Sequence, residues 1–130
     1  MKLISENYDF DRKFEICVKN YEDCDLYVNT TGYAYLKFFD TGKIKPLMPN
    51  KNGYIFVKGK KINLKRWIFK ITYPKISLKN KVVVALGQSL NVLNLIAISK
   101  NQYRNLQKHK MVVVKNQNTG EFTTNGRNEI

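Results

Sequence analysis

The chain has 130 residues and a formal net charge of +13, with 43% hydrophobic and 12% aromatic side chains. That length suits one domain with a modest core rather than two independent ones, and the apolar content excludes a disordered basic tail. No apolar stretch approaches the length needed to cross a bilayer, and Met1 to Asp11 carries no signal-peptide core, so no membrane partner is expected.

The charge is unevenly placed. Residues 1–40 hold five basic and eight acidic side chains, whereas residues 41–130 hold eighteen basic and two acidic ones, a balance of +16. Between Asp40 and Glu121 there is no Asp or Glu. An AT-rich coding sequence enriches Lys but does not remove carboxylates, so the one-sign field needs another cause. Such a field attracts a polyanion, and nucleic acid is the leading partner class, with an acidic protein surface as the alternative. Cys17 and Cys24 are too few for a zinc site, with one His in the chain, and suit two reduced thiols in a cytosolic protein.

Taken in order, residues 13–19 (KFEICVK) alternate polar and apolar as a half-buried strand does. A second short strand is expected over 25–29 and a third over 33–39, closed by the turn Asp40-Thr41-Gly42-Lys43. Residues 44–47 return, with Pro46 marking an edge or a strand end. Residues 54–57 and 61–62 form a further hairpin around Gly59. The first half is thus an antiparallel β-meander. Asn63 caps a helix whose apolar face is Leu64, Trp67, Ile68 and Ile71, and Tyr73-Pro74 ends it. There follow an apolar run over 82–86, a turn at Gly87, an Asn91-x-x-Asn94-Leu95 step and a short apolar run over 96–98. Ser99-x-x-Gln102 is a capping-box pattern that starts a last helix at Lys100. On that helix Lys100, Arg104 and Lys108 line up at i, i+4 and i+8 as a basic stripe, while Tyr103 and Leu106 face inward. Residues 112–115 and 121–123 flank a terminal hairpin, and the segment from Asn125 onward is expected to fray.

The order hairpin, helix, strand, Gly turn, Asn step, strand and capped helix resembles the ββα-metal core of phage HNH homing-type endonucleases. Tyr27-Val28-Asn29 with Gly32, and Asn52-Gly53-Tyr54 leading to Val57, resemble the small β module that precedes that core. Lys65-Arg66-Trp67-Ile68 stands where the family has His-Arg-Leu-Val. Counted from Tyr27, the likeness covers roughly four fifths of the chain. The resemblance implies a base and first metal ligand at Val84 and Ala85 and an Asp at Leu86 or Gly87. None of these takes a proton or binds a divalent cation. His109 forms a column with Asn101 and Asn105, but a hard metal finds no carboxylate within residues 41–120.

The expected fold is therefore α+β: an N-terminal antiparallel β-meander, a degenerate ββα HNH-like core and a C-terminal hairpin. One domain spans 1–130, with a β-rich part over about 12–62, the helix-ββα part over 63–110 and the hairpin over 111–124. The expected protein is not an enzyme, uses no cofactor or metal, and binds the phosphates of nucleic acid, DNA first, through a basic face. The residues expected to carry binding are Lys60, Lys61, Lys65, Arg66, Lys100, Arg104 and Lys108. Asn94, Ser99 and Gln102 are expected to be structural, Asn94 by tying the loop to the helix as in the family. A phage virion component, an inhibitor of a host protein and an active HNH nuclease are the alternatives, in the host cytoplasm or the particle.

Overall fold

A computed structural model of the protein describes residues 2–6, 15–87, 89–109 and 111–125. Among them are eleven strands, two α-helices and one 3-10 turn. The meander is a four-stranded antiparallel sheet of β2 (Glu15–Asn20), β3 (Cys24–Asn29), β4 (Tyr33–Phe38) and β5 (Ile44–Leu47) in chain order. Alternation sets its two faces: Cys24, Leu26, Val28, Ala34 and Leu36 point into the core. On the other face Tyr27 stacks on Tyr35 at 5.2 Å. Tyr35 donates its hydroxyl proton to Glu15, which pushes the phenol up to about 12. Residues 13 and 14 of the expected first strand lie outside the described residues.

β6 (Tyr54–Val57) and β7 (Lys60–Asn63) form a two-residue hairpin. Its central residues Lys58 and Gly59 both have positive φ, at 49° and 80°, as a type I′ turn requires. Lys58 is also tied to Asp23 at 2.7 Å, which holds the tip against the turn before β3. α1 (Leu64–Thr72) starts where the Asn63 carboxamide oxygen accepts from Arg66 N at 3.2 Å. Its fully buried face is Leu64, Ile68, Phe69 and Thr72, with Trp67 and Ile71 half-buried. The apolar face expected from sequence is thus rotated toward Phe69 and Thr72. α1 packs on β3 and β6 on one side and on β8, β9 and the 3-10 turn on the other, so the buried stripe is wide.

β8 (Val82–Ala85) and β9 (Leu95–Ile98) pair antiparallel, joined through the 3-10 turn Val92–Asn94. All four residues of β9 are buried because both faces of this ribbon are covered. Val83, Ala85, Leu95 and Ala97 join the core around α1. Val82, Val84, Ile96 and Ile98 pack with Leu106 and Tyr103 of α2 (Lys100–His109), and with Val113 and Phe122 of the terminal hairpin.

That hairpin is β10 (Val112–Asn116) and β11 (Phe122–Asn125), so Asn125, expected to fray, instead pairs with Val112. Residues 126–130 lie outside the described residues. β1 (Lys2–Glu6) adds a third strand, parallel to β10 and ahead of the first strand expected from the sequence. A strand of five residues whose partner lies at the other end of the chain has no local signature. It forms because β10 offers an edge.

Lys115 of β10 is fully buried. Its ammonium donates to Val92 O at 2.6 Å and lies 4.9 Å from the Tyr73 ring and 5.9 Å from the Phe69 ring. Nearby, Gln117 donates to Leu93 O at 3.0 Å, and Tyr73 donates its hydroxyl proton to Gln117 O at 2.8 Å. Gly120 sits against Tyr73 so closely that a Cβ there would lie 2.5 Å from the ring.

Two outcomes follow from this packing. Gly59 and Gly120 share nearly the same positive φ, but only Gly120 meets a neighbour. Gly59→Ala is expected to cost about 1 kcal/mol for the left-handed backbone alone. Gly120→Ala should cost about 3 kcal/mol or more because the ring must also move. Urea unfolding of the two variants measures the difference, and equal costs would contradict this geometry. The second outcome concerns Lys115, whose ammonium burial brings down from 10.5 to about 7. Between those values the unfolded chain holds a proton that the folded chain has released. Stability is therefore expected to rise with pH from about 7 upward, by at most about 1.4 kcal/mol per pH unit. Denaturation between pH 7 and the 9.0 of an ordinary thiol should show the slope, and Lys115→Met should abolish it. An unchanged slope in the variant would assign the titration to another group.

Candidate nucleic-acid interface

The structure distributes the seven expected contact residues over two regions. α1 and α2 pack on opposite faces of the β8–β9 ribbon, so the first four residues and the last three lie on different sides of it.

The first region is β7 with the exposed flank of α1. Lys60 and Lys61 are exposed, and Lys61 holds its ammonium 4.5 Å from the Tyr54 ring centre. Lys65 is half-buried, its methylene stem laid over Gly53, where a Cβ would come within 2.9 Å of it. Burial pushes its ammonium below the ordinary lysine range. Arg66 donates from Nη1 to Lys81 O at 3.0 Å and from Nη2 to Leu78 O at 2.9 Å. Its guanidinium clamps the 78–81 loop to α1, so its charge is fixed in place. Lys70, not one of the seven expected contact residues, has its ammonium 5.3 Å from the Trp67 ring centre. Lys61, Ile62, Asn63, Arg66, Trp67 and Lys70 line a pocket of about 310 Å³.

The second region is α2. Ser99 and Gln102 form the expected reciprocal cap: Gln102 N donates to Ser99 Oγ at 3.2 Å, and Ser99 N donates to Gln102 Oε1 at 3.3 Å. Lys100, Arg104 and Lys108 are exposed along the helix, while Leu106 is buried and Tyr103 half-buried. No acidic residue sits in the first turn, and Lys100 places a positive charge where the helix dipole disfavours one. The cap holds the end that the charge loosens. Beside α2 lies a groove of about 670 Å³, with Lys75, Lys81, Gln102 and Asn105 among its lining and Met111 and Phe122 on its apolar side.

Asn94 holds the loop between the ribbon strands rather than tying it to a helix. Its side chain donates to Ser89 O at 3.3 Å, and its carbonyl accepts from Leu86 N at 2.8 Å. Asn91 adds a turn of its own, accepting from Leu93 N at 3.0 Å. Val84 and Ala85, at the positions implied for a base and a metal ligand, pack into the two cores on either side of the ribbon. Among the described residues no three His, Cys, Asp or Glu side chains cluster as a metal site. His109 is exposed at the end of α2, on the same side as exposed Asn101 and Asn105. Both cysteines are free thiols, and no helix among the described residues is long and apolar enough to cross a membrane. No family model, curated protein or solved structure matches the chain.

The cap and the stripe do different jobs and should separate in measurement. Ser99→Ala is expected to cost about 1 kcal/mol of stability. Lys100→Glu with Arg104→Glu should leave stability within about 0.5 kcal/mol or raise it slightly, since acids suit a helix start. Chemical denaturation of both variants checks this. A large loss from the charge reversal would make the stripe structural.

Proposed function

We propose that the chain is a non-catalytic, HNH-endonuclease-like phage protein that binds nucleic acid, DNA first, through its phosphate backbone. The observation that carries this reading is the exposed row Lys100, Arg104 and Lys108 on α2, set within an eighty-residue stretch (41–120) that has no carboxylate. A solvated helix face gains stability from interleaved Glu and Lys; this one forgoes every such pair and carries a lysine at the wrong end of the dipole. The stripe therefore suits a polyanion better than it suits the helix. Phosphates every few ångströms along a duplex match a row of cations one helical turn apart. No spacing of donors reads a base edge, so binding is positional rather than sequence-specific.

The likeness to HNH enzymes is supported by the order of parts, an antiparallel ribbon followed by a capped helix laid on one of its faces. The non-catalytic reading is supported by the apolar residues at the implied base and ligand positions. A virion or host-directed accessory role is the second reading, to which Tyr33 and Met48, 69% and 85% exposed, would lend apolar contact surface.

Titrating DNA binding with salt between about 50 and 200 mM should give a steep log–log slope, and Lys100→Glu with Arg104→Glu should lower that slope by about two. Supercoiled plasmid with Mg²⁺ or Mn²⁺ should stay intact, and metal-dependent nicking that disappears in His109→Ala would overturn the non-catalytic reading. Absence of DNA and RNA binding at low salt would leave the accessory role, which mass spectrometry of purified particles would then assign to the virion or to the host cell.

A further inference from the structure

The pocket between β7 and α1 has features that phosphate binding alone does not call for. Its wall is an indole, its rim is three cations, and all six lining residues fall within 61–70, in the carboxylate-free stretch. Trp67 is half-buried, held from below by the core it packs against. The Lys70 ammonium sits near its ring at 5.3 Å. Arg66 is clamped by two carbonyls, so one of the three charges is already fixed in place before any ligand arrives. Ile62 adds an apolar side. A volume of about 310 Å³ is at the small end of ligand sites.

We propose that this pocket receives one unpaired nucleotide of a single-stranded nucleic acid, its base against Trp67 and its phosphate between Lys61 and Lys70, an inference that rests on the nucleic-acid reading above. The reason is a competition at one ring. A lysine over an accessible indole is held weakly because its ammonium prefers water, whereas a base stacked on the same ring removes apolar surface from both partners. The base displaces the ammonium, and the displaced ammonium is then one side-chain length from the phosphate of the same nucleotide. A duplex cannot do this, since its bases are stacked on one another and it offers only phosphates. The α2 stripe accepts either form, so the pocket confers a preference for unpaired strands on a protein that otherwise binds any polyanion.

Trp67 is the single tryptophan of the chain, so its emission reports on this pocket directly. The full-length protein is titrated at low salt with a short oligothymidylate, a duplex of equal length and inorganic polyphosphate. Binding is followed in parallel by the anisotropy of a labelled strand or by competition with it. The expected result is that oligothymidylate quenches Trp67 while the duplex and polyphosphate bind with little quenching. Lys70→Gln, a change outside the core, should lower the salt slope for the single strand by about 0.7. Trp67→Leu, with folding checked by circular dichroism, should weaken single-strand binding about fivefold or more and leave duplex binding unchanged. Single-strand binding without a change in Trp67 emission would overturn the pocket and leave the nucleic-acid reading standing. Equal quenching by polyphosphate or duplex would reduce the pocket to a phosphate site and overturn the inference. No binding by any strand would remove the underlying reading itself.

Discussion

The contact between the Lys115 ammonium and the Val92 carbonyl is the joint on which the rest of the structure depends. Burying an ammonium is costly unless hydrogen bonds and ring faces replace its water. Here the replacement comes from two separate elements: the 3-10 turn supplies the carbonyl, and α1 with its C-cap supplies the Phe69 and Tyr73 rings. The same turn accepts from Gln117 through Leu93 O and donates from Val92 N to Thr30 O at 2.9 Å, in the turn between β3 and β4. The meander, the ribbon loop, α1 and the terminal hairpin therefore meet around three residues of 3-10 turn. None of these contacts is local. The buried amine finds its partners only when all of these elements are in place, so the arrangement selects one docking of the hairpin over slipped alternatives.

The high net charge divides accordingly into cations with different work. Lys115 is an internal fastener, and Arg66 fastens the 78–81 loop from the half-buried flank of α1, both through main-chain carbonyls. Lys65 is half structural, its stem covering Gly53 while its head reaches toward water. Lys58 serves the hairpin tip through Asp23. Lys60, Lys61 and Lys70 surround one side of the molecule, and Lys100, Arg104 and Lys108 the other, with the β8–β9 ribbon between. A count of basic residues overstates the surface field by Lys115, and a single basic face would miss that the ribbon separates two. On the proposed reading, two separated cationic regions would let a flexible strand engage both, or leave one for a duplex and the other for an unpaired end.

Much of the architecture was legible in the sequence because it rests on local chemistry. The type I′ turn at Lys58-Gly59, the Asn63 cap, the Ser99/Gln102 box and the hairpin turn at Gly42 each act over a few residues. The meander strands and both helices followed from them nearly residue by residue. What escaped was non-local. β1 is a strand because β10 has an edge to offer, and nothing within Lys2–Glu6 announces that. Lys115 ends an apolar strand, where period-two reasoning puts a lysine in water, and only the ring and carbonyl partners from distant elements make its burial tolerable. Trp67 was read as core, which half of it is; the open half appears only once β7 and Lys70 are placed around it. Arg66 was read as a phosphate ligand, and the carbonyls that occupy it belong to a loop with no pattern of its own.

The β8–β9 ribbon carries the last step. A ribbon that activates water on a metal must keep one face polar and open, with the base and ligands projecting from it. This ribbon has no such face: Val83 and Ala85 lie against the α1 core, and Val82, Val84 and Leu86 against α2 and the terminal hairpin. On the proposed reading, loss of the catalytic side chains was accompanied by closure of the space they required. An imidazole placed at Val84 would lie against the apolar cluster around Ile96, Ile98 and Leu106. The ribbon is the central layer of the second half, with helices on both sides and their cations facing outward. Covering both faces fixes α1 and α2 in position, and it also sends their basic residues to opposite sides of the molecule. The geometry that a nuclease would spend on a metal is spent here on holding two positive surfaces apart.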